Sequence, residues 1–171
     1  DRSLTLLKND GVLPLAAPPL HPVHIVVQKS DPDPVPAALA AKVAALYPAT
    51  RTFVLRPELD PAVRDQAFQA AKEADLVILS FFVPRTRLGD AAPLRDADVG
   101  LIEKLIAAKP KSVVAMSYGN PHLIRKIPGV AAFLVGYGER GWFGNQTVYF
   151  DSFLKVLKGE LAPSGRLPVK V

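Results

Sequence analysis

The stretch VAAFLVGYGERGWFGN (130–145) joins an apolar run to the spacing G-x-G-x-x-G, Gly136 to Gly141, just ahead of a helical pattern. At the first turn of a βαβ unit such glycines would let a strand bend into a helix whose N-terminus faces a pyrophosphate, with an acidic residue ~20 positions on at the next strand's end. Position in the chain decides whether that reading applies. Four other apolar runs come earlier: PVHIVVQ (22–28), RTFVL (51–55), DLVILSFF (75–82) and SVVAMSY (112–118). The run at VAAFLVGY (130–137) is therefore the fifth, and the 30 residues after Gly141 hold one helix and a tail. Glu160 has roughly the right offset but follows a helix, so the motif is read as a glycine-rich loop at the sheet's carboxyl edge, and no cofactor is expected.

The five runs are almost continuously apolar, as strands covered on both faces are. Between them VPAALAAKVAALYP (35–48), DPAVRDQAFQAAKEA (60–74) and DVGLIEKLIAAKP (98–110) carry apolar residues three and four apart, which predicts helices. Asp60 before Pro61 reads as an N-cap with proline at the first helical position, and Pro48 and Pro110 close the first and third helices. A last helix is expected from near Asn145 through TVYFDSFLKVLKGE to Gly159, a C-terminal cap. Alternation of strand and helix calls for a parallel, doubly wound sheet with right-handed crossovers, and for any ligand at the carboxyl ends of the strands. The opening LTLLKNDGVLPL and the closing GRLPVKV stand outside the alternation and are expected as edge additions. With the turn signal Asp10-Gly11, the opening is a hairpin or a strand feeding a loop.

A chain of 171 residues, 49% hydrophobic and 22% charged, has the size and composition of one globular domain. No apolar run approaches the ~20 residues of a membrane span. The absence of cysteine excludes disulfides, thiolate metal sites and a cysteine nucleophile, and leaves the compartment open. The net charge of +5 is scattered, with KPK (109–111) its densest cluster and no recognition motif beside it, so a solvated basic face is expected rather than nucleic-acid binding. The start, DRSLTLLKND, lacks Met and a signal-like apolar segment and reads as the middle of a longer protein.

Candidate chemistry is sparse. His21, His24 and His122 lack metal-ligand spacing, and His24 inside a strand is expected to be a hydrogen-bonded structural residue. Asn145 in NQT matches a glycosylation acceptor but is better read as a helix cap. SYGNP (117–121) follows the fourth run without G-x-S-x-G, so Ser117 is no elbow nucleophile. With Asn120 it would either bind a hydroxylated ligand or cap the helix opened by Pro121. The long loop 80–98 carries Arg85, Arg87, Asp90, Arg95, Asp96 and Asp98. Arg85 and Arg87 would meet carboxylates of a substrate or of a neighbouring domain, and Asp96 or Asp98 would cap the next helix. Tyr137 and Glu139 belong to the glycine-rich loop, and Glu139 is its lone carboxylate. Glycoside hydrolysis needs two carboxyl groups about 5–9.5 Å apart, so one candidate makes no such site.

The opening RSLTLLKNDGVLPL (2–15) resembles the R-S-x-x-L-L-K-N-x-x-x-L-P-L signature that begins the second domain of glycoside hydrolase family 3 enzymes. The close GELAPSGRLPVKV (159–171) resembles that domain's G-x-x-x-P-S-G-R-L-P-V ending, and ADLVILSFF (74–82) and VVAMSYGNPHLIRKIPGVAAFLVGYG (113–138) are similar to its third-strand and S-x-G-N-P segments, in the same order. The resemblance implies a six-stranded α/β sandwich packed against an N-terminal (β/α)8 barrel that carries the aspartate nucleophile. Plant glucan exohydrolases of the family place the acid/base glutamate after the third strand, but the matching loop here, Phe82 to Pro93, has no Glu. That departure implies the bacterial β-N-acetylglucosaminidase branch, whose Asp-His acid/base lies on a barrel loop and whose sandwich has no essential residue. The expectation is thus a three-layer sandwich over 1–171, a mostly parallel, doubly wound, flavodoxin-like sheet of five to six strands with helices on both faces. Its partners would be the barrel and a carbohydrate. No catalytic residue or metal is expected in the chain, and Arg85, Arg87, Asp90, Ser117, Asn120, Tyr137 and Glu139 would line substrate-facing or interdomain loops. The competing expectation is a stand-alone module that binds a sugar or nucleotide on the same loops.

Overall fold

The computed structural model describes residues 4–28, 34–56, 61–83, 94–136 and 147–167. Chain order is β1 (Leu4–Asn9), β2 (Val23–Gln28), α1 (Pro34–Leu46), β3 (Arg51–Leu55), α2 (Pro61–Glu73), β4 (Val77–Phe82), α3 (Asp96–Ala108), β5 (Val113–Tyr118), a 3-10 turn (Pro121–Arg125), β6 (Ala132–Gly136) and α4 (Thr147–Lys158). All five apolar runs become strands of one six-stranded sheet, in the order β1-β6-β5-β4-β2-β3. Pairing from β3 across to β6 is parallel, and only β1 runs antiparallel, beside β6. Apart from β1 the order is that of the flavodoxin-like doubly wound fold. The chain reverses its direction of winding after β3, which puts the switch point between β2 and β4.

Alternate strand residues divide between two cores, because side chains of a strand point to opposite faces. Ile25, Leu79, Phe81, Ala115 and Phe133 pack on one face beneath Ala67, Ala70 and Ala71 of α2 and Leu101, Ile102 and Leu105 of α3. On the other, Ile78, Val114, Met116 and Leu134 lie beneath Leu39 and Val43 of α1 and Phe150, Phe153 and Leu157 of α4. The three-layer expectation holds. Small alanines let α2 sit close on the sheet, whereas α4 fills its side with aromatic rings.

Helix ends follow from local chemistry. The first and third helices stop two residues short of Pro48 and Pro110, and α2 begins at Pro61. Gly159, at φ +77°, ends α4 in a Schellman motif: its N–H donates to Val156 O at 3.1 Å and that of Glu160 to Lys155 O at 2.8 Å. The expected caps Asp60 and Asn145 lie outside the described residues. One expectation is corrected: the residue before α3 is Arg95, no side chain caps that helix, and neither Asp96 nor Asp98 does so. Asp98 instead turns into the protein to meet two arginines.

The opening segment is a strand feeding a loop, at the edge of the sheet. Register slips between Leu6 and Lys8, a bulge that turns β1 toward the Asn9 loop. Asn9 organises that loop: its Oδ1 accepts from Gly11, Val12 and Leu13 N–H at 3.2, 3.1 and 3.1 Å, and its Nδ2 donates to Leu13 O at 2.8 Å. The closing segment reaches β1 but forms no strand over its described part. Gly165 N–H donates to Leu4 O at 3.0 Å. A Cβ there would lie 2.6 Å from Leu4 O and collide with Thr5 Oγ1, so only glycine admits this approach. The KPK cluster is partly structural, since Lys109 Nζ donates to Ala74 O at 2.7 Å and ties the end of α3 to that of α2.

Candidate functional site

In a doubly wound sheet, loops at the carboxyl ends of the strands around the switch point form the ligand crevice. Here Gln28, Phe82, Tyr118 and Gly136 end the four central parallel strands, and the N-termini of α2 and α3 lie at the same edge. Of the residues expected there, Arg85, Arg87, Asp90, Tyr137 and Glu139 lie outside the described residues, and Ser117 and Asn120 lie within them.

Ser117 and Asn120 close a turn. Ser117 Oγ donates to Asn120 O at 2.7 Å and accepts from Asn120 N–H at 3.2 Å, while Gly119 takes φ +111° between them. Asn120 Oδ1 accepts His122 N–H at 3.0 Å and so caps the 3-10 turn begun by Pro121. The capping reading of SYGNP is therefore the one the geometry supports. That bond also fixes the amide orientation, and Nδ2 is left buried with no partner.

On the same face, Asp98 is 1% exposed and both its oxygens are taken. Arg64 Nε of α2 donates to Oδ1 at 3.2 Å and Arg95 Nε to Oδ2 at 2.6 Å. The carboxylate thus ties the start of α3 to α2. Sequence reading placed Arg95 and Asp98 in one loop but had no signal linking them to Arg64, a helix away. Both Nη atoms of Arg95 are enclosed without a hydrogen-bond partner.

The opposite face of this edge is aromatic. Phe82 and Tyr118, on neighbouring strands, stack with centroids 4.5 Å apart, and Phe150 of α4 meets both edge-on at 6.1 and 5.3 Å. Burial pushes the Tyr118 phenol well above its ordinary pKa, and its hydroxyl has no partner. Deeper in the sheet, His24 Nε2 lies 2.9 Å from Ser80 Oγ, the hydrogen-bonded structural histidine expected from the sequence. Full burial lowers its pKa to about 3, so the ring is neutral.

Chemically, the described part of this edge offers donors and aromatic surface. Its buried carboxylate has each oxygen engaged by a guanidinium Nε. Among the described residues no three His, Asp or Glu side chains converge as metal ligands, and no helix is long and apolar enough to cross a membrane. A hollow of about 300 Å³ between His21, Arg51 and Glu73 opens at the amino end of β2 and β3, away from the crevice.

A doubly wound sandwich with an antiparallel strand on its edge, against which the C-terminal segment lies at Gly165, is the class of domain defined here. Residues 4–171 match the profile of the glycosyl hydrolase family 3 C-terminal domain, and the chain belongs to that family. No curated protein matches. Among solved structures, a fungal multi-domain family 3 β-N-acetylglucosaminidase superposes with a TM-score of 0.72 at 17% identity, covering 99% of this chain and 18% of its own. The family 3 β-N-acetylglucosaminidase of Paenibacillus sp. str. FPU-7 gives 0.65 at 20% identity, covering 99% and 31%. The Listeria innocua β-glucosidase gives 0.56 at 18% identity, covering 78% and 21%. The chain thus spans less than a third of the length of these relatives.

Proposed function

We propose that residues 1–171 form one domain of a longer retaining β-glycosidase, in which an N-terminal (β/α)8 barrel supplies the nucleophile and this sandwich supports it and shapes the rim of the cleft. The substrate we infer is a β-linked N-acetylhexosamine of cell-wall origin. The observation that carries the finer reading is the loop from Phe82 to Pro93, which has no Glu and so offers no acid/base residue at the position where glucan-cleaving relatives would place one.

In this account the loops after β4, β5 and β6 face the barrel. Arg85, Arg87, Asp90, Tyr137 and Glu139 act there as interdomain or substrate-facing contacts, while Ser117 and Asn120 hold the backbone of the middle loop. Retention proceeds through a glycosyl-enzyme intermediate formed outside this chain. The test is the specificity of the full-length protein on aryl glycosides. Its kcat/KM for the N-acetyl-β-glucosaminide is expected to exceed that for the β-glucoside by at least about a hundredfold, since a site built for the acetamido group leaves buried polar groups unpaired on glucose. Equal or inverted values overturn the N-acetylhexosamine assignment.

A further inference from the structure

We propose that Asp10–Gly11 is a modification site, a bond that isomerises to isoaspartate through a cyclic imide, and that the Asn9 side chain sets the rate by holding the Gly11 N–H. This is the sole Asp-Gly pair of the sequence, and the sequence holds no Asn-Gly. A glycine leaves its amide nitrogen open to the preceding side chain, because it has no Cβ to shield it. Gly11 stands at φ +86° with no atom within 4 Å of where a Cβ would sit, and the Asp10 side chain is 55% exposed, so water reaches both. In the first step the Gly11 nitrogen bonds to Asp10 Cγ, while the amide proton and the carboxyl hydroxyl leave as water. A second water then opens the imide. Attack at Cγ restores aspartate, whereas attack at the main-chain carbonyl frees an α-carboxylate and routes the chain through Cβ and Cγ. Only water is released and taken up, so the product is an isomer.

The loop opposes the first step at the atom that must move. Gly11 N–H donates to Asn9 Oδ1 at 3.2 Å, beside Val12 and Leu13 N–H on the same oxygen, and Asn9 Nδ2 donates in turn to Leu13 O at 2.8 Å. On the other side Asp10 N–H donates to Ala131 O at 2.8 Å. Asp10 is thus held by its own N–H and by the one that follows, and attack on Cγ must break the Asn9 contact. Lys8 Nζ lies 3.0 Å from Asp10 Oδ2 and also donates to Pro128 O at 2.8 Å, but an exposed pair of this kind contributes little. Asn9 is therefore the principal brake. Isomerisation adds a backbone carbon to the loop after β1, which displaces the Gly11 N–H from Asn9 and loosens the edge strand's attachment. The inference stands apart from the glycosidase reading.

The test stores the full-length protein in warm neutral buffer and follows isoaspartate by peptide mapping, with enzymatic methylation of the freed α-carboxylate by an isoaspartyl methyltransferase as a second readout. Wild type, Asn9→Ala and Lys8→Met are compared with a synthetic peptide of residues 4–15 as the unfolded reference. At residue 10 the peptide is expected to react fastest and the wild type slowest. Asn9→Ala falls between them at about tenfold the wild-type rate, the factor that one neutral hydrogen bond carries. Lys8→Met is expected to stay within about twofold of the wild type. Asp10→Glu, whose imide needs a six-membered ring, is the blank. Should Asn9→Ala fail to fold, Asn9→Asp decides, because it keeps the acceptor oxygen: a rate near the wild type's supports the proposal, and a rate near the peptide's overturns it. A wild type as fast as the peptide, no isoaspartate at residue 10 in folded Asn9→Ala, Asn9→Ala no faster than the wild type, or Lys8→Met as fast as Asn9→Ala also overturns it.

Discussion

At the scale of single residues, His24 makes stability depend on pH. It sits on β2 between β3 and β4 with the sheet covered above and below, and its hydrogen bond goes to Ser80 Oγ at 2.9 Å. Burial lowers the folded pKa to about 3, whereas the unfolded ring titrates at 6.5. Below the unfolded value the unfolded chain binds the extra proton, so the stability contributed by a neutral His24 is complete above about pH 6.5 and is lost as pH falls toward about 3. The slope approaches about 1.4 kcal/mol per pH unit in that window. Urea midpoints measured from neutral pH down to about pH 4 are expected to fall accordingly. Ser80→Ala alone leaves Nε2 unpaired and costs about 1–3 kcal/mol. Adding His24→Leu removes the stranded ring, recovers part of that loss and flattens the pH profile. A double variant as acid-sensitive as the wild type would show that His24 is not the titrating group.

Among elements, β1 and its clamps explain why both ends of the chain carry recognisable motifs. Asn9 in LLKN shapes the loop after β1 with four hydrogen bonds, and Gly165 in PSGR lets the tail lie against Leu4 and Thr5. Gly165→Ala is expected to displace the tail and cost about 1–3 kcal/mol, read as a lower thermal midpoint with faster hydrogen exchange at the amides of β1. Unchanged β1 exchange would mean that the tail does not hold the edge strand. The helices and strands themselves were legible because near-continuous Val/Ile/Leu runs and Ala/Leu periodicity report burial directly. What was not legible depended on contacts between elements. Asp98 looked like a helix cap because acids favour that position, and nothing near it in the chain announced Arg64. The Phe82–Tyr118 stack was hidden in the same way, since strand register, not spacing, brings the two rings together.

For the whole molecule, strand order carried the functional reading. Gly136 ends the last strand of the winding, next to β1 at the sheet's edge, and not the first strand at the switch point. A Cβ on Gly136 would lie 2.8 Å from Met116 Cε, so the end of that side chain would have to shift to admit one. The central claim is that the sandwich belongs to a sugar-cleaving protein whose nucleophile lies elsewhere, and a trapping experiment addresses it directly. The full-length protein is treated with a fluorinated, activated glycoside that arrests the glycosyl-enzyme intermediate, and the labelled peptide is located by mass spectrometry. The account predicts a label on an aspartate upstream of Asp1 and neither label nor turnover when the isolated chain is treated. A label within residues 1–171, at Asp90 or Glu139 for example, together with turnover by the isolated chain, would contradict it.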